Sequence, residues 1–184
     1  MPFKRIAMIA RWKPVHLGQA AVLRALRGGA GQVIVGVGSS NRYNVRNPFT
    51  FEETEAMLRL VLDEINPTVE TALYAVPDLD DGPRWRDLVL DLLGPLDLFV
   101  SANDYVRRLL QGVYPLAHPR DLVPRTRHVP IDGERVRRAM ARGDPWEALV
   151  PPEVAAFLRE RALPERFRRE FGLRTLAAEL SGQR

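Results

Sequence analysis

Ten consecutive residues, Ala10-Arg11-Trp12-Lys13-Pro14-Val15-His16-Leu17-Gly18-Gln19, hold an unusual share of reactive side chains. Arg11 and Lys13 are cations, His16 can take up a proton near neutrality, and Gln19 offers both a donor and an acceptor. The apolar run "RIAMIA" leads into them and a helical pattern, "GQAAVLRALRGG", follows. His16 and Gly18 therefore fall where a helix begins, at unpaired backbone N–H groups and a positive dipole end that attract anions. Gly18 lets a bulky phosphate approach the backbone, and Pro14 stiffens the connection. The bare pattern equally fits a surface turn with an incidental histidine.

The elements around this loop say where else chemistry can gather. Short β-rich runs at 5–10, 32–38, 70–76 and 96–102 alternate with helical patterns. The first helix reads as closed by Gly28 and Gly29. Another opens on Thr50 with Glu53 three residues on, a capping box. A third carries Trp85, Leu88, Val89 and Leu92 on one face, and a short one covers about 104–111. Beyond residue 130 the pattern is helical only, at 133–142 and 152–162, with a basic tail from about 164. Such alternation predicts an α/β fold: a doubly wound parallel sheet of about five strands, the first one central, with a helical C-terminal cap. The expected organisation is one domain over 1–184, with an α/β core at 1–130 and a helical part at 131–184. Ligands of such sheets bind at the carboxyl ends of the strands. The loops after residues 10, 38, 76 and 101 should thus line one site, and the 133–142 helix carries Arg135, Arg137 and Arg138 in its first turns.

Four of these segments, taken in order, resemble the archaeal-type nicotinamide-mononucleotide adenylyltransferases of the HxGH nucleotidyltransferase superfamily. "ARWKPVHLGQ" matches the family pattern at Arg11, Pro14, His16 and Gly18. "VGVGSSNRYNVRNPFT", "VSANDYV" and "GERVRRAMARGDPWEALVP" match its remaining motifs, so the likeness spans about residues 3–160. The resemblance implies a Rossmann-like nucleotidyltransferase fold and transfer of an adenylyl group from ATP to nicotinamide mononucleotide (NMN), giving NAD and pyrophosphate. It implies that Arg11, His16 and Arg137 carry the catalysis, and that with Gly18, Gln19 and Asn103 they bind ATP. Asn47, Pro48, Asp80 and Trp85 would line the NMN pocket. Mg²⁺ would arrive with ATP, with no protein metal site, and the implied protein is a homo-oligomer. On the residues alone, Trp85 also suits core packing, Asn47 a turn, Asn103 a helix cap and Arg138 a solvated charge.

The chain departs from the family at two places. Gln19 stands where the family has its second histidine, and Asp132 and Glu134 stand near where it has Ser or Thr before the final arginine. Glutamine carries no positive charge, and a carboxylate competes with phosphate for helix N–H groups. Asp132 also suits the N-cap of the 133–142 helix. Both changes are expected to weaken phosphate binding. They keep two alternatives open: a non-catalytic nucleotide-binding relative, or a nucleotidyltransferase with another phosphorylated acceptor.

Composition narrows the classes. Hydrophobic residues make up 46% and charged residues 27%, as in ordinary globular proteins. Lys4 and Lys13 are the only lysines among 27 basic residues, and the formal charge is +4. The arginines are spread throughout, so they permit an anionic partner without pointing to nucleic acid. There are no cysteines, which excludes disulfides and thiolate metal sites. No apolar run approaches the ~20 residues of a membrane span, so a cytoplasmic protein without a membrane partner is expected.

Overall fold

Apolar runs too short for helices alternate with capped amphipathic segments, and the chain folds accordingly. In a computed structural model, which describes residues 3–65 and 68–182, the order begins β1 (Phe3–Ala10), α1 (Leu17–Gly29), β2 (Ala30–Gly38) and α2 (Phe51–Asp63). It continues with β3 (Glu70–Val76), α3 (Gly82–Leu93), β4 (Leu98–Val100), α4 (Asp104–Leu110), β5 (Leu116–Ala117) and α5 (Pro119–Leu122). Then come α6 (Gly133–Arg142), α7 (Pro152–Glu160) and α8 (Leu163–Gly182). The strands form one parallel sheet in the order β3-β2-β1-β4-β5, with β1 in the middle. Ile6 lies opposite both Val33 and Leu98, which fixes the central register.

Alternate residues of a strand face opposite sides of its sheet, and both sides are covered here. Ile6 and Met8 of β1 join a core with Leu23 of α1, Met57 of α2, Met140 of α6, Val154 of α7 and Phe167 of α8. Ala7 and Ile9 join a smaller core with Val89 and Leu93 of α3 and Leu110 of α4. Each large side chain fully removed from water contributes on the order of 1.5–3 kcal/mol. The helical C-terminal part therefore shares the larger core with α1 and α2.

Several boundaries differ from expectation. β4 has three residues, fewer than the 96–102 expected, and β5, at the sheet edge beside β4, only two. Gly28 and Gly29 do not end α1 by a left-handed turn. The chain passes straight into an extended Ala30, so no reversal is needed. The basic tail is one 20-residue helix, α8, anchored by buried Phe167 and Phe171. On α3 the buried residues are Val89 and Leu93, and Trp85 packs half-buried at the edge of the smaller core. No helix among the described residues is long and apolar enough to cross a membrane.

Candidate active site

The carboxyl ends of the strands open into a cleft of about 1350 Å³. That is above the few hundred to ~1,000 Å³ usual for a single small ligand. Arg11, His16, Gly18, Gln19, Asp80, Trp85, Asn103 and Arg137 all line it.

β1 ends at Ala10, and the chain turns through Trp12 in the left-handed region, at φ 58°. This conformation costs a bulky residue on the order of 1–2 kcal/mol. Burial offsets it: Trp12 is fully enclosed, and its indole N–H donates to Gly36 O at 2.9 Å. With that anchor fixed, the neighbouring Arg11 and Lys13 both reach the cleft. Arg11 is exposed and has no hydrogen bond or ion pair to a described residue.

His16 caps α1. Its Nδ1 accepts from Gln19 N, and Gln19 Oε1 accepts from His16 N, each at 3.4 Å. Since Nδ1 accepts, the neutral ring carries its proton on Nε2 and is a donor there. The side chain is 7% exposed. Burial pushes its pKa down to about 4, with Arg137 adding to the shift and Asp132 opposing it. At neutral pH His16 is therefore an uncharged donor, where the sequence suggested a group able to hold charge. Gln19 completes the cap, a job its carbonyl does and a second histidine could not do in the same way.

Gly18 has a second reason to be glycine. A Cβ there would meet Val129 O and Ile131 O at 3.0 Å each, so the 129–131 segment crosses directly against α1. That segment leads into α6, whose N-cap is Asp132: its Oδ1 accepts from Arg135 N at 2.8 Å. One turn on, Arg137 Nη1 donates to Lys13 O at 2.7 Å, which ties α6 to the β1–α1 loop. Burial, and Arg11 nearby, push the Arg137 pKa down to about 10, leaving the guanidinium charged at neutral pH. Gly133 makes room, since a Cβ there would lie 3.0 Å from Arg137 Nη1. Glu134 also lines the cleft but is paired with Arg138 one turn along α6, and Arg138 is thereby accounted for at the surface.

The other side of the cleft carries Asp78, Asp80 and Asp81. Asn41 and the backbone of Asp78 exchange hydrogen bonds at 2.8 and 3.0 Å, locking the loop after β2 to the loop after β3. Arg42 pairs with Asp80 and lies 3.6 Å from Asp78. Asp81 caps α3, bringing Trp85 to the rim. Asn103 caps α4 by accepting from Tyr105 N at 2.9 Å and Val106 N at 3.3 Å, so its carbonyl is engaged and its amide nitrogen remains.

Asn47 and Pro48 are buried and do not line the cleft. Asn47 instead closes a tight turn with Asn44, their backbones paired at 2.8 and 3.1 Å. This turn presents Arg46 to the cleft. Behind it, Arg166 of α8 grips both oxygens of Glu53 at 2.6 and 2.7 Å and donates to Pro48 O at 3.0 Å. The sequence reading noted Lys13 without giving it a role and missed Arg46, Arg120 and Arg127; all four line the cleft. In an arginine-rich chain, charge alone gave no signal.

No protein-family model matches the chain. Curated relatives do. A nicotinamide-nucleotide adenylyltransferase of Aeropyrum pernix is 37% identical over 90% of this chain and 96% of that protein. The protein of the same name from Methanoculleus marisnigri is 32% identical over 89% and 95%. Among solved structures, a bifunctional NMN adenylyltransferase/ADP ribose pyrophosphatase from Francisella tularensis, complexed with AMP and a Mn ion, superposes with a TM-score of 0.75. At 16% identity this likeness speaks for the fold, and it covers 99% of this chain but 56% of the bifunctional one. Plasmodium falciparum nicotinic acid mononucleotide adenylyltransferase gives a TM-score of 0.55 at 10% identity, over 88% of this chain and 98% of that one. With a parallel sheet whose loops bring Arg11, His16 and Arg137 to one cleft, and with relatives this similar over nearly their whole length, the chain belongs to the nicotinamide-nucleotide adenylyltransferase family.

Proposed function

We propose that the protein transfers the adenylyl group of ATP to nicotinamide mononucleotide, forming NAD and releasing pyrophosphate. The observation that carries this reading is the cleft's polarity. One side offers a helix N-terminus, the His16 donor and the Arg11 and Arg137 cations, and the other offers Trp85 among carboxylates. The first suits a polyphosphate and the second a cationic pyridinium ring, on which Trp85 can stack.

The acceptor's 5′-phosphate is already an anion, so no protein base is required. An acceptor oxygen bonds to the α-phosphorus as the bond to the β-phosphate oxygen breaks, and the electron pair leaves on pyrophosphate. The protein's task is alignment and charge stabilisation. His16 Nε2–H and Arg11 act at the α-phosphoryl group, with Gly18 and Gln19 forming the start of α1 beneath it. Arg137 holds the β- and γ-phosphates, and the Asn103 amide nitrogen serves the ribose of ATP. Asp80 and Trp85 serve the acceptor, while Asn47 and Pro48 act one step back, by holding the turn that presents Arg46. Among the described residues no three His, Asp or Glu side chains are grouped to hold a metal. Mg²⁺ enters as part of the ATP substrate, bound to its phosphates. A cytoplasmic setting follows from these substrates.

Incubating the protein with ATP, Mg²⁺ and NMN, and following NAD and pyrophosphate, tests the reading. ATP binding without dinucleotide formation from any mononucleotide would replace it with a nucleotide-binding relative that has lost turnover.

A further inference from the structure

A buried ammonium is costly unless it has a partner in contact, and the chain keeps one at Lys13. The side chain is 2% exposed yet lines the cleft. Its Nζ donates to Ser39 O at 3.1 Å, and it forms no ion pair with a described residue. An ammonium has three donors, so two remain. Ser39 reaches this position in the left-handed region, at φ 53°, where β2 ends. The charged groups facing Lys13 come from three elements: Arg11 from its own loop, Asp78 after β3 with Arg42 paired beside it, and Arg137 of α6 on the Lys13 carbonyl. The ammonium thus sits on the side formed by the loops after β2 and β3, the second of which carries Asp80 and leads into α3 with Trp85.

We infer that Lys13 Nζ binds the 5′-phosphate of the acceptor mononucleotide and holds it beside the α-phosphorus of ATP. This rests on the adenylyl-transfer reading. The step itself is unchanged: the acceptor oxygen forms its bond to phosphorus, pyrophosphate leaves, and no proton is exchanged. Lys13 adds to Arg11 the second positive charge that lets two anions meet, in a loop where His16 is neutral and Gln19 never charged. Burial, reinforced by Arg11 and opposed by Asp78, lowers the Lys13 pKa to about 8, so this charge fades in mildly alkaline solution.

Equilibrium binding of NMN and of its phosphate-free nucleoside, nicotinamide riboside, isolates the phosphate contact without turnover. The wild type should prefer NMN. Lys13→Gln should weaken NMN roughly 10- to 100-fold, as expected for a lost charge-assisted bond. Affinity for the riboside and for ATP should stay within about twofold in the same variant, and Lys13→Arg should recover part of the loss. In kinetics the KM for NMN should rise and that for ATP should not. The alkaline limb of kcat/KM for NMN near pH 8 should move upward in Lys13→Arg. Lys13→Met, which removes the buried charge, should raise Tm. Equal losses for NMN and riboside, or for NMN and ATP, would make Lys13 a structural residue and overturn the inference. So would unchanged NMN affinity in a wild-type background that still makes NAD, which would leave the functional reading standing. A wild type that binds NMN no better than riboside and forms no NAD overturns both.

Discussion

Two helices, α1 and α6, begin at the same cleft, and they are capped in opposite ways. α1 is capped by an imidazole that burial keeps uncharged, α6 by the carboxylate of Asp132. A neutral cap satisfies an N–H group without cancelling the positive end of the helix, whereas a carboxylate neutralises it. The start of α1 therefore keeps its positive end uncancelled. α6 contributes instead through Arg137, one turn along, with Glu134 turned to Arg138. The family's departures at Gln19 and Asp132 then have separate meanings. Gln19 completes the neutral cap of α1, and Asp132 occupies the backbone N–H end of α6, so that under the proposed function α6 would hold phosphate by the Arg137 side chain.

The strongest way to break this comparison is His16→Ala. Losing a preorganised donor should lower turnover on the order of 10²- to 10³-fold while ATP affinity changes far less. A variant that loses affinity and keeps its rate would make His16 a binding group only. The uncharged state of His16 can be tested without substrate. In the unfolded chain the imidazole takes up its proton near pH 6.5, in the folded protein only near 4. Stability is thus complete above about pH 6.5 and falls between 6.5 and 4, by on the order of 3 kcal/mol. Urea unfolding of wild type and His16→Asn, which keeps a cap without the titration, should diverge across that window and run parallel above it.

On the α6 side, Arg137→Ala should weaken ATP by roughly 1.5–3 kcal/mol, and unchanged titration curves would remove Arg137 from the phosphate site. Asp132→Asn keeps an N-cap acceptor and deletes the charge. ATP should then bind several-fold tighter, and α6 should lose a few tenths of a kcal/mol of its dipole stabilisation, within the ~0.3–1 range. Weaker ATP binding would show that Asp132 contacts the nucleotide directly. The smallest change expected is for Gln19→His: an intact fold, with turnover raised less than about tenfold, because a charged donor is roughly twice as strong as a neutral one. Slower turnover would mean that the neutral cap of α1 is itself adapted to the reaction.

The layout of the sheet was legible in the sequence because strand and helix periodicities are local. The Thr50–Glu53 box was legible for the same reason, and it forms as read. β5 was not, since two residues carry no period. The loop after β1 could be recognised as a site, yet its charge states could not. They depend on tertiary neighbours: the 129–131 segment lies against Gly18 beside the buried His16, and the Lys13 ammonium is held by Ser39 O after β2. Asn47 was placed in the pocket on resemblance, but the Asn44–Asn47 turn keeps it behind Arg46. Trp85 lines the cleft while packing on the smaller core, and Asn103 lines it while capping α4.

The grip of Arg166 on Glu53 and Pro48 joins residues 113 and 118 positions apart in the chain. Tyr43 adds a hydrogen bond to Glu170 and an edge contact to Phe171 on the same helix. During synthesis the loop after β2 therefore waits for α8, and so does α6, which meets the same helix through Arg168 on Met140 O and Arg142 on Glu179. A nascent chain thus acquires neither brace until α8 has emerged, so the two sides of the cleft are fixed together, late and by one helix.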